Sequence, residues 1–225
     1  METLFVSLLP YIIGSAIVPV QVIIGVLLLK SPRQGLLKAI AYVAGMTLTR
    51  LIQGLIFGFI VARSAANVGQ GGQGPIISTL LMVLGILLLI AAYRKWHGEE
   101  DPDAPPPKWL TMLDRMPPAQ AFGIGFAIPL ISAKLWVFTL SALTTIATAE
   151  LGLSISAISY FLFILLAQLL LLIPILIRIL APTQSTSILT QLSDWLTTNN
   201  RPIAIGVSLV FGLFFLYSGI SGFLK

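Results

Sequence analysis

Six apolar runs dominate this 225-residue chain: Leu4 to Leu29, Ala39 to Ala62, Pro75 to Tyr93, Ala119 to Ala149, Leu153 to Ile177, and Pro202 to Leu224. A helix rises about 1.5 Å per residue and a bilayer's hydrocarbon core is about 30 Å thick, so each run is long enough to cross it. Lipid offers the backbone no hydrogen-bond partners, so α-helix is the expected state of all six. The first run reads as a span rather than a secretory signal, because Met1-Glu2 supplies no basic n-region. An all-α integral membrane protein with six transmembrane helices is therefore expected. Charge agrees with this, since only 9% of residues are Asp, Glu, Lys or Arg, against about 25% in soluble domains. The same scarcity argues against disorder. With no Lys/Arg cluster longer than a pair, a nucleic-acid partner is not expected either.

Thirteen Lys/Arg against eight Asp/Glu leave a net charge of +5, and their placement orients the chain. Lys30, Arg33 and Lys38 lie in or beside the first loop. Arg94, Lys95, Lys108 and Arg115 lie in the third, and Arg178 and Arg201 flank the fifth. Only Arg63 and Lys225 fall on the other side, so the count is nine against two, and the positive-inside rule places both termini outside. Loop three, residues 94–118, carries a run of acids and Pro105-Pro106-Pro107, which disfavour a packed element. It divides a first three-helix unit, 1–93, from a second, 119–225. Trp109 to Leu113 within it reads equally as a short interfacial helix or as a solvated linker.

Arg50 and Lys134 each stand midway along a span, where a full charge costs roughly 2.5 to 3.5 kcal/mol to insert. Every Asp and Glu lies in a loop or at a terminus, so the helical core holds two cations and no fixed anion. Such cations must face a hydrated cavity, backbone carbonyls or an anion from outside the protein. Residues three, four or seven apart share a helix face, which groups Lys134 with Ser141, Thr145 and Thr148, and Arg50 with Thr47 and Gln53. Gln21 and Gln168 put an amide near mid-depth in two further spans. Those hydroxyls and amides read equally as interhelical glue. Pro19, Pro129 and Pro174 mark candidate helix breaks, and broken helices at mid-membrane are where transporters place their sites.

Cysteine is absent and His97 is the one histidine. No metal site or cofactor is expected from that inventory, and no catalytic nucleophile, base and orienting group can be assembled. The two halves share an order of helices. An odd number of spans in each inverts the second half relative to the first, so a 3+3 inverted repeat is expected, with Gln21 opposite Lys134 and Arg50 opposite Gln168.

Val18-Pro19-Val20, Leu29-Lys30-Ser31-Pro32-Arg33 and Ala41 to Gly45 resemble the opening of the GAP or Sap family of the LysE superfamily, the glycolipid- and sulfolipid-addressing type. In the second half, Lys108-Trp109-Leu110, Pro118 to Gly125, Asp194-Trp195-Leu196, Asn199-Asn200 and Gly219 to Gly222 extend the likeness over nearly the whole chain. That resemblance implies a LysE-like six-helix inverted repeat and the movement or addressing of a lipid. Where the family carries Asn-Pro-Lys, this chain reads Ser132-Ala133-Lys134, which keeps the lysine and removes the proline that would break the helix.

Three functions fit these features. The leading one is a transporter or flippase-like exporter of an anionic lipid or glycolipid-like amphiphile in a bacterial inner membrane. In it Lys134 and Arg50 bind the head group, and Gln21, Gln168, Ser132, Ser141 and Thr145 line the path. The second is a LysE-type exporter of a small polar solute, and the third a non-transporting scaffold for lipid synthesis or export. Membrane lipids, a second copy of the chain in a homodimer and a lipid-synthesis enzyme are the candidate partners. No Walker A motif supplies ATP, and no intramembrane Asp, Glu or His supplies a proton relay. Single cysteines at Gly71 and Asp103 are expected to react with impermeant thiol reagents from opposite faces. Labelling of both from outside would overturn the orientation.

Overall fold

The computed structural model describes residues 2–67, 75–98, 112–113 and 115–223. Among them, ten helices form: α1 (Glu2–Ala16), α2 (Pro19–Lys30), α3 (Gly35–Asn67), α4 (Pro75–His97), α5 (Pro118–Ile131), α6 (Ala133–Thr148), α7 (Leu153–Ala167), α8 (Leu169–Leu180), α9 (Pro182–Thr198) and α10 (Asn200–Phe223). By length and composition, α3 and α10 can each cross a membrane alone. Three more crossings arise if the bent pairs α1–α2, α5–α6 and α7–α8 each count as one span, with bends of 59°, 71° and 67°. The expected third span coincides with α4, which lies along α10. Large apolar side chains such as Leu55, Ile131, Leu153 and Leu180 are more than three-quarters exposed, a surface suited to lipid rather than water.

Each bend has its own local cause. Pro19 opens α2, and its ring pushes Val18 out of the helical region to φ −118°, ψ 94°. In the fourth run the break falls at Ser132, extended at ψ 101°. Pro129 stays inside α5. The bend therefore survives without the proline expected between Ser132 and Lys134. In the fifth run the break is Gln168 itself, at φ −107°, ψ 8°, and Pro174 is carried inside α8. Gln168 repairs its own break, because its side-chain Nε2 donates to the carbonyl of Ile164 at 3.4 Å while its backbone N–H has moved to Leu165.

Continuous over its whole length, α3 runs among all three bent pairs. Its contact with α5 is close enough that a Cβ on Gly45 would strike the carbonyl of Phe122, and one on Gly125 the carbonyl of Tyr42. Small residues there let two backbones touch, the packing device expected where no hydrophobic force separates helix from lipid.

One end of the molecule gathers the segments around loops one, three and five. Residues 182–198, read from sequence only as part of a loop, form α9, whose Ser185, Leu189, Ser193 and Leu196 recur at helical spacing and are buried. It packs on α2 and α8, and Leu113 and Met116 from the end of loop three join the same apolar cluster as Leu189 and Leu196. The interfacial helix expected over 109–113 otherwise lies outside the described residues, as do Gly69 to Gly74 between the second and third apolar runs. Basic residues counted for orientation also fasten this end. Arg201 donates to the carbonyls of Lys95, Trp96 and Gly98 at the C-terminus of α4, where a cation complements the helix dipole. Arg178 ties α8 to Ser185 of α9 at 2.8 Å, and Lys38 is buried with its ammonium 2.6 Å from the hydroxyl of Ser31.

Replacing Gly125 by Leu is expected to destabilise the protein by about 1 to 3 kcal/mol through overpacking. Gly123→Leu, whose Cβ meets nothing within 4 Å, should be close to neutral. Thermal unfolding of the two variants in detergent checks this, and equal melting temperatures would remove the close α3–α5 contact.

Candidate functional site: a buried cation among broken helices

Arg50 sits midway along α3, whose unbroken ladder fixes its depth. Its side chain is 0% exposed, and all three guanidinium nitrogens are buried without a hydrogen-bond partner. Two residues of α7 enclose it. The Phe163 ring lies with its centroid 5.9 Å from the guanidinium carbon, and Tyr160 donates its hydroxyl to the Arg50 carbonyl at 2.6 Å. Gly54, one turn along α3, leaves the room that the Tyr160 ring fills. A cation over an aromatic face gains a little, yet five N–H donors remain unmet.

Other polar atoms share this condition. The Gln53 Oε1 is buried and unpartnered, and so are Ser15 Oγ, Gln21 Nε2 and Thr139 Oγ1. Ser15 and Gln21 flank the α1–α2 break, while Gln53 lies one turn from Arg50. Unsatisfied buried groups are scarce in folded proteins and each calls for an explanation.

The remaining polar contacts join α3 to the bends. Gln168 donates to the Thr47 hydroxyl at 3.1 Å, Gln53 to the Pro129 carbonyl at 3.4 Å, and Thr49 to the Phe126 carbonyl at 2.7 Å. Tyr42 reaches the carbonyl of Gln21 at 3.4 Å. Gln21 and Gln168 are thus both held against α3, the former through its backbone and the latter through its amide. Lys134 belongs to the first turn of α6, is half-buried, and has its ammonium 5.9 Å from the centroid of Phe138. The two cations rest on separate rings. Ser132 is the hinge residue between α5 and α6. Thr145 donates to the carbonyl of Ser141 at 2.9 Å, which ties that hydroxyl to its own helix. Among the described residues, no cluster of His, Cys, Asp or Glu is suited to a metal.

Sequence reasoning passed over Tyr160 and Phe163. A tyrosine within the fifth run was the available signal, because its hydroxyl needs a partner when buried. Phe163 gave none, as one phenylalanine among many.

A fully buried cation without a hydrogen-bond partner is the centre of an apolar, all-helical core. The chain belongs to the family described as Sap, sulfolipid-1-addressing protein, whose model matches residues 8–221. Membership brings a lipid-related role, in lipid export or addressing, to a chain whose apolar helices suit a membrane. No curated protein and no solved structure matches it.

Tyr160→Phe removes the hydroxyl and keeps the ring over Gly54. A loss of about 0.6 kcal/mol is expected, the size typical of a hydrogen bond between membrane helices. Reversible unfolding in mixed micelles measures it. An unchanged stability would mean that the α3–α7 bond contributes nothing.

Proposed function

We propose that the protein moves an anionic lipid across a bacterial inner membrane, with the head group drawn to Arg50 and with Lys134 as the second cation on its path. The observation that carries this reading is the full burial of Arg50 with every guanidinium nitrogen unpaired. Leaving such a charge unpaired is expensive, and the chain offers no intramembrane acid to offset it. A phosphate or sulfate ester has the charge and the planar pairs of acceptor oxygens that a guanidinium binds best. Membership of a sulfolipid-addressing family favours a lipid as the bearer of that group. Tyr160 and Phe163 close Arg50 off in this conformation.

A six-span 3+3 inverted repeat of LysE-like form, with both termini outside, completes the reading. Two placements support it. Gln21 is the third residue of α2 and Lys134 the second residue of α6, so each follows the break of its bent pair by a comparable distance. The basic ends of α2, α4 and α8 lie near α9 and Arg201 at one end of the molecule. The repeat is imperfect, since α3 is continuous where its counterpart, α7–α8, is bent. Catalysis forms no part of this function.

Binding of a fluorescent phosphatidic acid to purified protein in neutral detergent tests the reading. Arg50→Gln should weaken affinity about tenfold, the cost of losing charged hydrogen bonds, and Lys134→Gln should weaken it by less. Thermal stability should hold or rise in Arg50→Gln, because a costly buried charge is gone. Native affinity in both variants would refute the anion site.

A further inference from the structure

A lipid-facing cleft lies between α1 and α7, with a volume of about 570 Å³. Leu4, Leu8 and Ile12 line it from α1, and Leu162, Phe163 and Leu166 from α7. One of those residues has a second face. Phe163 is 1% exposed and its ring is the one that covers the Arg50 guanidinium. Phe163 therefore lies both in the wall of an apolar cleft and over a buried cation without a counter-ion.

We infer that this cleft is the lateral binding site for an acyl chain of the anionic lipid, and that Phe163 is the door between the chain's seat and the head group's. The inference rests on the proposed role of Arg50 and adds where the lipid comes from and how it is held. Chemistry selects the occupant. The lining is almost wholly apolar, which suits a hydrocarbon chain, while the unpaired cation behind the wall requires that the chain carry an acidic head. A neutral lipid would fill the cleft and leave Arg50 as it is. A water-soluble anion would satisfy Arg50 and gain nothing from the cleft. Only an anionic amphiphile uses both.

Phe163 lies on a helix that ends at a bend. It stacks on Tyr160 at 5.9 Å between centroids, and both lie on α7, which ends at the Gln168 bend. Rotation of α7 about that bend would carry both rings away from Arg50 together. Ser159 also lines the cleft, on the turn that holds Tyr160, and supplies a hydroxyl for a head group on its way inward.

The test uses the full chain in phosphatidylcholine vesicles holding a small fraction of phosphatidic acid with a diazirine in one acyl chain. After illumination, adducts are mapped by peptide mass spectrometry, with diazirine phosphatidylcholine as the neutral comparison. Adducts from the phosphatidic acid are expected on residues 4–12 and 159–166, several-fold above those from phosphatidylcholine. Leu162→Trp, at a position 47% exposed and so tolerant of a larger side chain, should remove most of them. Ser159→Trp enters the same lining one turn away on α7 and should do the same if the first variant folds poorly. Adducts elsewhere, or adducts in the cleft that both tryptophans leave intact, would overturn the inference while Arg50 could still bind the head group. Equal labelling by the acidic and neutral lipids in the wild-type protein would instead overturn the anion reading itself.

Discussion

Polar groups inside a bilayer have no water to turn to, and in this protein one continuous helix, α3, supplies polar partners to all three bent pairs. Thr49 and Gln53 donate to carbonyls of α5, Tyr42 to the start of α2, and Thr47 pairs with Gln168 at the bend between α7 and α8. Those contacts require α3 to lie close to all three bent pairs. Gly45 and Gly125 make the nearest approach feasible by letting backbone meet backbone. A continuous helix thus acts as the spine on which three discontinuous ones are hung, and the depth of every polar group in the core follows from it.

Arg50 sits on that spine, and its position changes the meaning of the arrangement. Side chains that hold the bends are largely satisfied, so they read as structure. Arg50 is not satisfied, nor are Gln21 Nε2 and Gln53 Oε1. The strongest donor in the core is left unmet, and that is the ground on which an anion site at Arg50 is proposed. Lys134, half-buried at the opening of α6 and seated over Phe138, extends the positive field toward the α5–α6 hinge.

Much of this could be read from the residues. Apolar runs located the helices, and the absence of intramembrane acids singled out Arg50 and Lys134. Prolines identified which runs would bend. Pro19 also located its bend, at the start of α2, but Pro129 and Pro174 did not, because a proline disturbs the turn before it while neighbouring contacts decide where the strain is released. Pro129 and Pro174 are both carried inside helices, and the breaks fall at Ser132 and Gln168. The amphipathic α9 was missed for a different reason. Its low overall hydropathy hid a buried face whose residues recur every three or four positions. Tyr160 carried a signal that went unread, and Phe163 became legible only when tertiary packing brought α7 across α3.

The lipid that stays with the protein tests the central claim most directly. Native mass spectrometry of the wild-type chain, extracted in mild detergent from its own membrane, should show an acidic lipid retained on the protein and enriched over its share of the bulk extract. Retention of neutral lipids alone, or of acidic lipids only in bulk proportion, would contradict the view that the buried Arg50 is there to receive an anion.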